Sequence, residues 1–270
     1  MDNERGKRLT IRFGDQDFYI GKTEPNGHLI ETLKLSPKTV SKLQAKSDMP
    51  GWLTYQAVLP KMDKRIYTGR VQLLERKGIS VISDIDDTIK VSEVTNPDSK
   101  IFLRNTFINE YQAVEDMANL YRQWENAGMQ FHYVSANPWQ LYDTINKFME
   151  SAGFPKGSMR LRNFRWKDFR SLEQLFSSLV TFKLSITEDI LHRVPERKFI
   201  LVGDSGQSDP EIYAELYCKH PNQILHICIR DVQGEGVDFD RFRRACKDIP
   251  ETKWTVFREA NELKRVRHQS

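Results

Sequence analysis

A run of apolar residues that ends in three carboxylates is the strongest constraint on how this chain folds. The apolar segment 79–82 leads almost directly into Asp84, Asp86 and Asp87. A short apolar run of this kind predicts a buried strand. Three neighbouring carboxylates repel one another unless a cation or a shared proton compensates for their charge. Because open α/β sheets bind ligands at the carboxyl ends of their strands, the segment predicts a charged site at a sheet edge.

The periodicity of the chain changes near residue 78. From residue 79 onward, strand and helix patterns alternate, which predicts a parallel sheet with helices on both faces. The earlier part is rich in short strand patterns and predicts a small antiparallel sandwich. We therefore predict two domains, residues 1–77 and 78–270. Four further element predictions matter below: a strand at 28–35, helices at 36–46 and 110–126, and a helical end at 257–266.

Cysteine usage, hydropathy and charge exclude several classes of protein. The cysteines, Cys218, Cys228 and Cys246, have no CxxC spacing, so a disulfide framework or a zinc site is not expected and a reducing compartment fits. The first residues lack the apolar core of a signal peptide, and no run reaches the length of a membrane span. We therefore expect a cytoplasmic chain whose membrane contacts are peripheral.

The positive charge lies in the N-terminal part of the chain. Residues 1–75 hold 13 Lys and Arg against 9 Asp and Glu, whereas the remainder is balanced at 28 against 28. A basic bias favours anionic surfaces such as phospholipid or nucleic acid, although most such charge is simply solvated.

Four separated polar motifs carry the chemistry of the chain. They are Asp-Ile-Asp-Asp-Thr at 84–88, Ser-Ala-Asn at 135–137, Lys183, and Gly-Asp-Ser-Gly-Gln-Ser-Asp at 203–209. In content, order and strand context they resemble the haloacid-dehalogenase-like superfamily of phosphotransferases. The resemblance implies an α/β fold with a Rossmannoid parallel sheet and helices on both faces, here preceded by the small β-sandwich domain. Only about 20 residues separate the first motif from the next predicted helix, which implies a minimal cap over the site.

The first motif suits phosphate ester hydrolysis. A phosphomonoester dianion resists attack by an anion, so its cleavage needs a divalent cation, and clustered carboxylates are ligands that Mg²⁺ prefers. Asp84, at the strand end, is the expected nucleophile and would form an aspartyl-phosphate. Asp86 is placed to protonate the leaving oxygen and then to activate water. Asp87 receives no role.

The other motif residues are predicted to hold phosphate or metal. Thr88, Ser135 and Lys183 would bind the phosphoryl oxygens. Asp204 and Asp209 would complete a metal site with Asp84, to which the resemblance adds the backbone carbonyl of Asp86.

Structural alternatives remain open for these residues. Asp204 and Asp209 could each cap a helix, Lys183 could be an ordinary surface lysine, and Ser135 could be buried with its hydroxyl bonded to backbone. A calcium loop of the EF-hand type is disfavoured, because that loop needs Gly and Glu where Ile89 and Thr95 stand.

The sequence around the motifs resembles a narrower family, the catalytic domain of actin-patch-associated phosphatidate phosphatases, which are related to lipins. The matching segments are 82–90, 133–141, 153–155, 161–164 and 202–209. The resemblance implies Mg²⁺-dependent hydrolysis of phosphatidate to diacylglycerol and phosphate at a membrane surface. The chain departs from the family at Ala136-Asn137, where Gly-Ser is common, and its first 75 residues match only in their strand-rich character.

Basic and aromatic residues are interleaved in the predicted strand at 159–164 and in the residues that follow it. Arg162, Arg165, Trp166 and Lys167 are candidate contacts to a lipid headgroup or membrane, where aromatic rings lie at headgroup depth. The same composition would suit another anion such as a nucleic acid, since aromatic rings also stack on bases. It would equally suit a loop whose charged side chains are solvated by water. We expect a phospholipid partner and no nucleic acid, and the N-terminal domain could bind proteins.

Two other functions remain open. The same chemistry could act on a phosphoprotein or a soluble phosphomonoester. Alternatively, the chain could be a lipid- or protein-binding adaptor with a vestigial phosphatase site, although a pure binder would not need both leading aspartates.

Overall fold

A computed structural model describes residues 5–93, 110–163, 172–232 and 239–268. The chain divides into two compact units, Met1–Leu74 and Glu75–Ser270. The assignment of 1–77 and 78–270 to separate functional domains stays a prediction.

The N-terminal unit is built on one antiparallel sheet. Its strands are β1 (Arg8–Phe13), β2 (Gln16–Lys22), β3 (Trp52–Ala57) and β4 (Thr68–Gln72), in the order β2-β1-β3-β4. Helix α1 (Pro37–Gln44) begins where predicted, because the Ser36 hydroxyl accepts a hydrogen bond from the Thr39 backbone N–H at 3.1 Å. Phe13, Leu43 and Leu53 form the buried core. The predicted antiparallel, strand-rich domain is confirmed, but its four described strands form a single sheet and not the predicted sandwich.

The second unit contains a six-stranded parallel sheet. Its strands are β5 (Ile79–Ser83), β6 (Gln130–Pro138), β7 (Gly157–Arg162), β8 (Lys198–Asp204), β9 (Ile224–Arg230) and β10 (Trp254–Phe257). The spatial order is β10-β9-β8-β5-β6-β7, and every neighbouring pair is parallel. This order puts β5, the strand before the acidic motif, in the centre of the sheet.

Helices cover both faces of this sheet. They are α2 (Met117–Asn126), α3 (Tyr142–Ala152), α4 (Leu172–Arg193), α5 (Asp209–Lys219) and α6 (Phe239–Ala245), with 3-10 turns at Trp139–Leu141, Glu251–Lys253 and Ala260–His268. Successive strand residues point to opposite faces, so Val81 packs in the cluster that contains α2 and α3, while Ile82 packs in the cluster with α5 and α6. The predicted α/β fold class is confirmed. The predicted cap falls on residues 89–109, most of which lie outside the described residues.

Helix α2 begins seven residues later than predicted, for a reason that matters to the site. Asp116 has a positive φ of 58° immediately before the helix, and the preceding segment is extended. That segment pairs with the chain after the acidic motif: Val91 N–H donates to Gln112 O and Val114 N–H donates to Ile89 O, each at 2.9 Å. These hydrogen bonds replaced the helical ones that the apolar spacing predicted.

One other element prediction is wrong. Residues 28–35 belong to no strand, and Ile30 is 83% exposed, since the apolar residues there do not alternate strictly enough to give one buried face. The helical end predicted at 257–266 is present as the 3-10 helix Ala260–His268 and begins three residues late, because Phe257 still belongs to β10, which pairs with β9 and was not predicted. Within the described residues, no helix combines the length and apolar character needed to cross a bilayer.

Arg197 fixes the segment that leads into β5, and we expect its replacement to destabilise the fold. Its guanidinium donates to three backbone carbonyls, of Glu75, Lys77 and Ile79, each at 2.8 Å, and its Nε donates to Ser80 Oγ at 2.9 Å. Arg197→Met would leave buried acceptors without donors, so the free energy of unfolding should fall by about 3 kcal/mol. Urea unfolding followed by circular dichroism measures this.

The matched control is Arg193→Met. Arg193 is half exposed and pairs with Asp189 one helical turn away, at 2.7 Å. Removing that exposed pair should cost less than about 0.5 kcal/mol. Equal effects of the two substitutions would contradict the clamping role of Arg197.

Candidate active site

Three adjacent strands bring the predicted motifs to one edge of the sheet. In the register, Ser83 of β5 lies opposite Tyr133 of β6 and Val202 of β8. The next residues along these strands are therefore neighbours: Asp84 follows β5, Ser135 lies in β6, and Asp204 ends β8. The Asp84 backbone N–H donates to Val202 O at 2.9 Å, which extends the ladder into the site.

Lys183 joins the first and last motifs from the middle of α4. Its Nζ lies 2.8 Å from Asp84 Oδ1 and 2.8 Å from Asp209 Oδ1, and all three side chains are buried. Burial disfavours the ammonium, but the attraction of Asp209 and Asp84 outweighs it and holds the pKa of Lys183 well above its usual range. Lys183 is therefore a fixed buried cation at the site and not a surface lysine.

Asp84, Asp204 and Asp209 form a cluster that fits a divalent cation. One carboxylate oxygen from each lies within 4.8 Å of the others, and all three residues are buried. Asp204 Oδ2 has no hydrogen-bond partner among the described residues, and such a buried acceptor calls for a cation or a proton. An all-oxygen donor set is the kind that Mg²⁺ prefers.

The pKa values of Asp84 and Asp204 are both raised, as expected of carboxyl groups that share a buried space. Burial, partly offset by Lys183 and reinforced by Asp209 and Asp86, raises the pKa of Asp84 to about 8. Burial and the charges of Asp209 and Asp84 raise the pKa of Asp204 well above its usual range. A bound divalent cation would oppose both shifts by favouring the ionised carboxylates.

Gly203 has no side chain, and this leaves room for the Asp209 carboxylate in the cluster. A Cβ at Gly203 would clash with the Asp209 carboxylate. Asp209 also lies in the first turn of α5, and its Oδ2 accepts a hydrogen bond from the Asp204 backbone N–H at 3.3 Å. Asp204 Oδ1 in turn accepts from the Gly206 backbone N–H at 2.7 Å. Both aspartates thus make local backbone hydrogen bonds while each presents an oxygen to the cluster.

We expect Mg²⁺ to stabilise the protein more at about pH 8 than at about pH 5. Because the folded-state pKa of Asp84 lies above the unfolded value of 3.8, the metal-free folded protein binds more protons than the unfolded chain between 3.8 and about 8. Its stability therefore falls as the pH rises through that window, and a cation that replaces the proton restores it. Thermal unfolding with and without Mg²⁺ measures the difference.

Asp204→Asn is the matched control for this pH dependence, because it removes one charge from the cluster at constant shape. The gain from Mg²⁺ should shrink in this variant and depend less on pH. A wild-type gain that is equal at both pH values would contradict the metal assignment.

Asp86 lies in a separate set of contacts beside the cluster. Its Oδ1 is 2.9 Å from Lys90 Nζ and accepts from Ser92 Oγ at 2.7 Å. Its Oδ2 accepts from Ser135 Oγ at 3.1 Å and from Asn137 Nδ2 at 2.6 Å. Burial alone would raise the pKa of Asp86, but Lys90 and these donors outweigh it and lower the pKa. Metal ligation by the backbone carbonyl of Asp86, which the resemblance implies, stays a prediction.

Lys90 is the site residue that the sequence analysis missed. It is fully buried, pairs with Asp86, and lies 4.4 Å from the centre of the Tyr111 ring. Tyr111 reaches it because residues 110–114 are not helical. The sequence did contain a signal for this pair, because Lys90 stands four residues after Asp86. Lys90 is also flanked by apolar residues, and a lysine that is buried among them needs a buried anion beside it.

Asp87, which had no predicted role, shapes the loop after the motif. It adopts a positive φ of 52°, and its Oδ1 accepts from the backbone N–H groups of Ser92 and Glu93, each at 2.8 Å. Arg230 at the end of β9 donates to the Asp87 backbone carbonyl at 2.6 Å. These hydrogen bonds hold the loop in the turn that carries Lys90 and Ser92 towards Asp86.

The hydroxyls predicted to bind phosphate lie against the two leading aspartates. Thr88 Oγ1 is 3.4 Å from Asp84 Oδ2, and Ser135 Oγ donates to Asp86. Asn137, at one of the positions where the chain departs from the pattern of the family it resembles, supplies a second donor to Asp86. The phosphate-binding role of Thr88 and Ser135 stays a prediction.

The predicted headgroup contacts are only partly described. Arg162 ends β7 and is 6% exposed, so its side chain is buried and not presented on a surface. Arg165, Trp166 and Lys167 lie outside the described residues. Their role as membrane contacts stays a prediction.

Comparison with known proteins agrees with this arrangement. A family profile described as the catalytic domain of phosphatidate phosphatase APP1 matches residues 79–231. The phosphatidate phosphatase APP1 of Saccharomyces cerevisiae is 30% identical over 93% of this chain and 39% of its own length. An uncharacterised protein of Schizosaccharomyces pombe is 34% identical over 63% of this chain and 28% of its own length. The chain thus spans well under half the length of these curated relatives.

A solved structure, the class C acid phosphatase of Bacillus anthracis with tungstate bound, resembles the chain at 12% identity with a TM-score of 0.33, covering 73% of this chain and 80% of that one. The matched family segment contains Asp84, Asp86, Ser135, Lys183 and Asp209, and it accounts for more than half of the chain. The chain therefore belongs to the family of the phosphatidate phosphatase APP1 catalytic domain.

Proposed function

We propose that this chain is a Mg²⁺-dependent phosphatase that hydrolyses phosphatidate to diacylglycerol and phosphate through an aspartyl-phosphate on Asp84. The observation that carries the proposal is the position of Lys183, held 2.8 Å from both Asp84 and Asp209 beside the buried oxygen of Asp204. A nucleophilic carboxylate, a fixed cation and a set of metal-ligating oxygens are the parts that phosphoryl transfer needs.

The two leading aspartates divide the chemistry between them. An Asp84 oxygen attacks phosphorus as the bond from phosphorus to the glyceride oxygen breaks, and Asp86 gives its proton to that oxygen. In the second step Asp86 takes a proton from water, which attacks phosphorus, releases phosphate and regenerates the Asp84 carboxylate. Mg²⁺ bound by Asp84, Asp204 and Asp209 would supply charge neutralisation for the phosphoryl group.

The contacts of Asp86 favour its role as the base that activates water in the second step. Lys90, Ser92, Ser135 and Asn137 together favour the ionised carboxylate, which is the form that activates water. For the first step, the negative charge of a bound phosphate would raise the pKa of Asp86 and favour its protonated form. Lys183, with Thr88 and Ser135, would hold the phosphoryl oxygens.

We place this activity in the cytoplasm, at a membrane surface that presents the lipid. The support is the family relationship, together with three free cysteines, Cys218, Cys228 and Cys246, in the described residues. Free thiols suit a reducing compartment.

The proposal is tested by phosphate release from phosphatidate in mixed micelles, with and without Mg²⁺. Lyso-phosphatidate, diacylglycerol pyrophosphate and para-nitrophenyl phosphate are assayed beside it. We expect Mg²⁺-dependent release that is fastest with phosphatidate. Activity confined to the soluble ester would reject the lipid substrate, and release from none of them would favour an adaptor with a vestigial site.

A further inference from the structure

Large apolar side chains are exposed in one short connection of the N-terminal unit, the β3–β4 loop (residues 58–67). Met62 is 93% exposed, Ile66 is 74% exposed and Tyr67 is 51% exposed. Single exposed apolar residues are common, but three within six positions form a local patch that loses free energy by remaining in water.

The β3–β4 loop has an ordered set of hydrogen bonds that keeps these side chains outside. Asp63 N–H donates to Pro60 O at 2.8 Å, and Ala57 N–H donates to Tyr67 O at 2.9 Å, which closes the base of the loop. The Arg65 guanidinium donates to both Asp63 oxygens, at 2.9 and 2.6 Å, and also lies 5.6 Å from the centre of the Tyr67 ring. The exposed residues therefore stand on a defined turn.

The charge of the β3–β4 loop is positive around these apolar side chains. Hydrogen bonds from Arg65 lower the pKa of Asp63 to about 2, so this acid stays ionised and offsets the charge of Arg65. Lys61 and Lys64 are both exposed and add two further positive charges, one on each side of Met62 and Asp63. The sequence Lys-Met-Asp-Lys-Arg-Ile-Tyr thus combines apolar tips with a net positive charge.

We infer that the β3–β4 loop is a membrane attachment site that inserts Met62 and Ile66 into an anionic phospholipid surface. This inference rests on the proposed function, since the proposed substrate is an anionic lipid. Transfer of two large apolar side chains from water into the acyl-chain region favours attachment. Lysines near a negative membrane surface are attracted to it, and tyrosine is favoured at the headgroup layer. A protein partner would match the apolar patch but would not by itself explain the flanking lysines.

Vesicle sedimentation of the full chain tests the inference. The probes are phosphatidylcholine vesicles with and without phosphatidate, and the variants are Met62→Ser/Ile66→Ser and Lys61→Gln/Lys64→Gln. We expect each double variant to bind phosphatidate-containing vesicles about tenfold more weakly or worse. In the lysine variant, the advantage of phosphatidate-containing vesicles over pure phosphatidylcholine should also shrink.

Ile30→Ser is the matched control, because Ile30 is equally exposed in the same unit but lies outside the loop. It should leave vesicle binding unchanged, and none of the variants should alter hydrolysis of a soluble ester. Vesicle binding that is unaffected by both loop variants would overturn the inference, as would a loss equal to that of Ile30→Ser. Loss of self-association in gel filtration, without any loss of lipid binding, would also overturn it and indicate an interface between copies.

The test of the loop can fail or succeed independently of the test of the proposed phosphatase function. Sedimentation reports attachment without catalysis, whereas micellar phosphatidate hydrolysis reports the reaction. Hydrolysis together with unchanged sedimentation of the loop variants rejects the loop alone. Loop-dependent sedimentation without hydrolysis rejects the phosphatase proposal alone.

Discussion

Asp84→Asn is expected to lower the rate of phosphate release by about 10⁴-fold or more, with phosphatidate and with soluble esters alike. An amide cannot replace the carboxylate as nucleophile, so no aspartyl-phosphate can form. The substitution preserves the shape of the side chain and the backbone hydrogen bond of Asp84 to Val202. Steady-state phosphate release in the presence of Mg²⁺ measures the effect.

Two controls separate chemistry from folding in this variant. The raised pKa of Asp84 keeps its carboxyl neutral in metal-free buffer below about pH 8, as the amide of Asn is. The melting temperature of Asp84→Asn in metal-free buffer at pH 7 should therefore not fall below that of the wild type. Its binding to vesicles should be nearly unchanged, because Asp84 is buried. Substantial residual phosphate release would show that another group is the nucleophile.

Lys90→Met is expected to slow turnover by about 10²- to 10³-fold and to make the phospho-enzyme accumulate. Lys90 lies 2.9 Å from Asp86 and is the charge that most strongly favours its ionised form. Without it, a buried Asp86 would retain a proton, which permits the first step but removes the base for the second. Stopped-flow assays with para-nitrophenyl phosphate should show a burst approaching one nitrophenol per active site, followed by slow release.

The control for Lys90 is a double-mutant cycle with Asp86→Asn. If Lys90 acts through Asp86, the double variant should turn over no more slowly than Asp86→Asn alone. Lys147→Met, at an exposed position of α3, should have no effect. A Lys90→Met enzyme that unfolds is recognised by its circular dichroism. One that folds and turns over at the wild-type rate contradicts the positioning role.

The parts of the fold that the sequence predicts well are those where local pattern and tertiary packing agree. The apolar run before Asp84 is buried on both faces because it is the central strand, and its polarity changes where the sheet ends. The same change of pattern occurs at Ser135 and Asp204. The carboxyl ends of parallel strands lie at one edge of the sheet. The position of each motif at the end of a strand therefore predicts that these residues come together.

The missed features depend on contacts between distant segments. The spacing of Tyr111, Val114 and Met117 is helical, yet pairing with the chain after Asp87 keeps the first two residues extended. From the sequence alone, Lys90 therefore looks like an exposed polar residue in a loop. In the structure it is buried between Asp86 and Tyr111. β10 is only four residues long, and its pairing with β9 is not visible in its own sequence.

The central claim is most directly tested by acid quenching the enzyme during turnover of phosphatidate labelled in its phosphate. We expect label that is released by hydroxylamine, as an acyl-phosphate is, and that maps to the peptide carrying Asp84. It should be absent from Asp84→Asn and more abundant in Lys90→Met. Label on a different residue, or steady hydrolysis of phosphatidate with no labelled protein in either the wild type or Lys90→Met, would contradict the account.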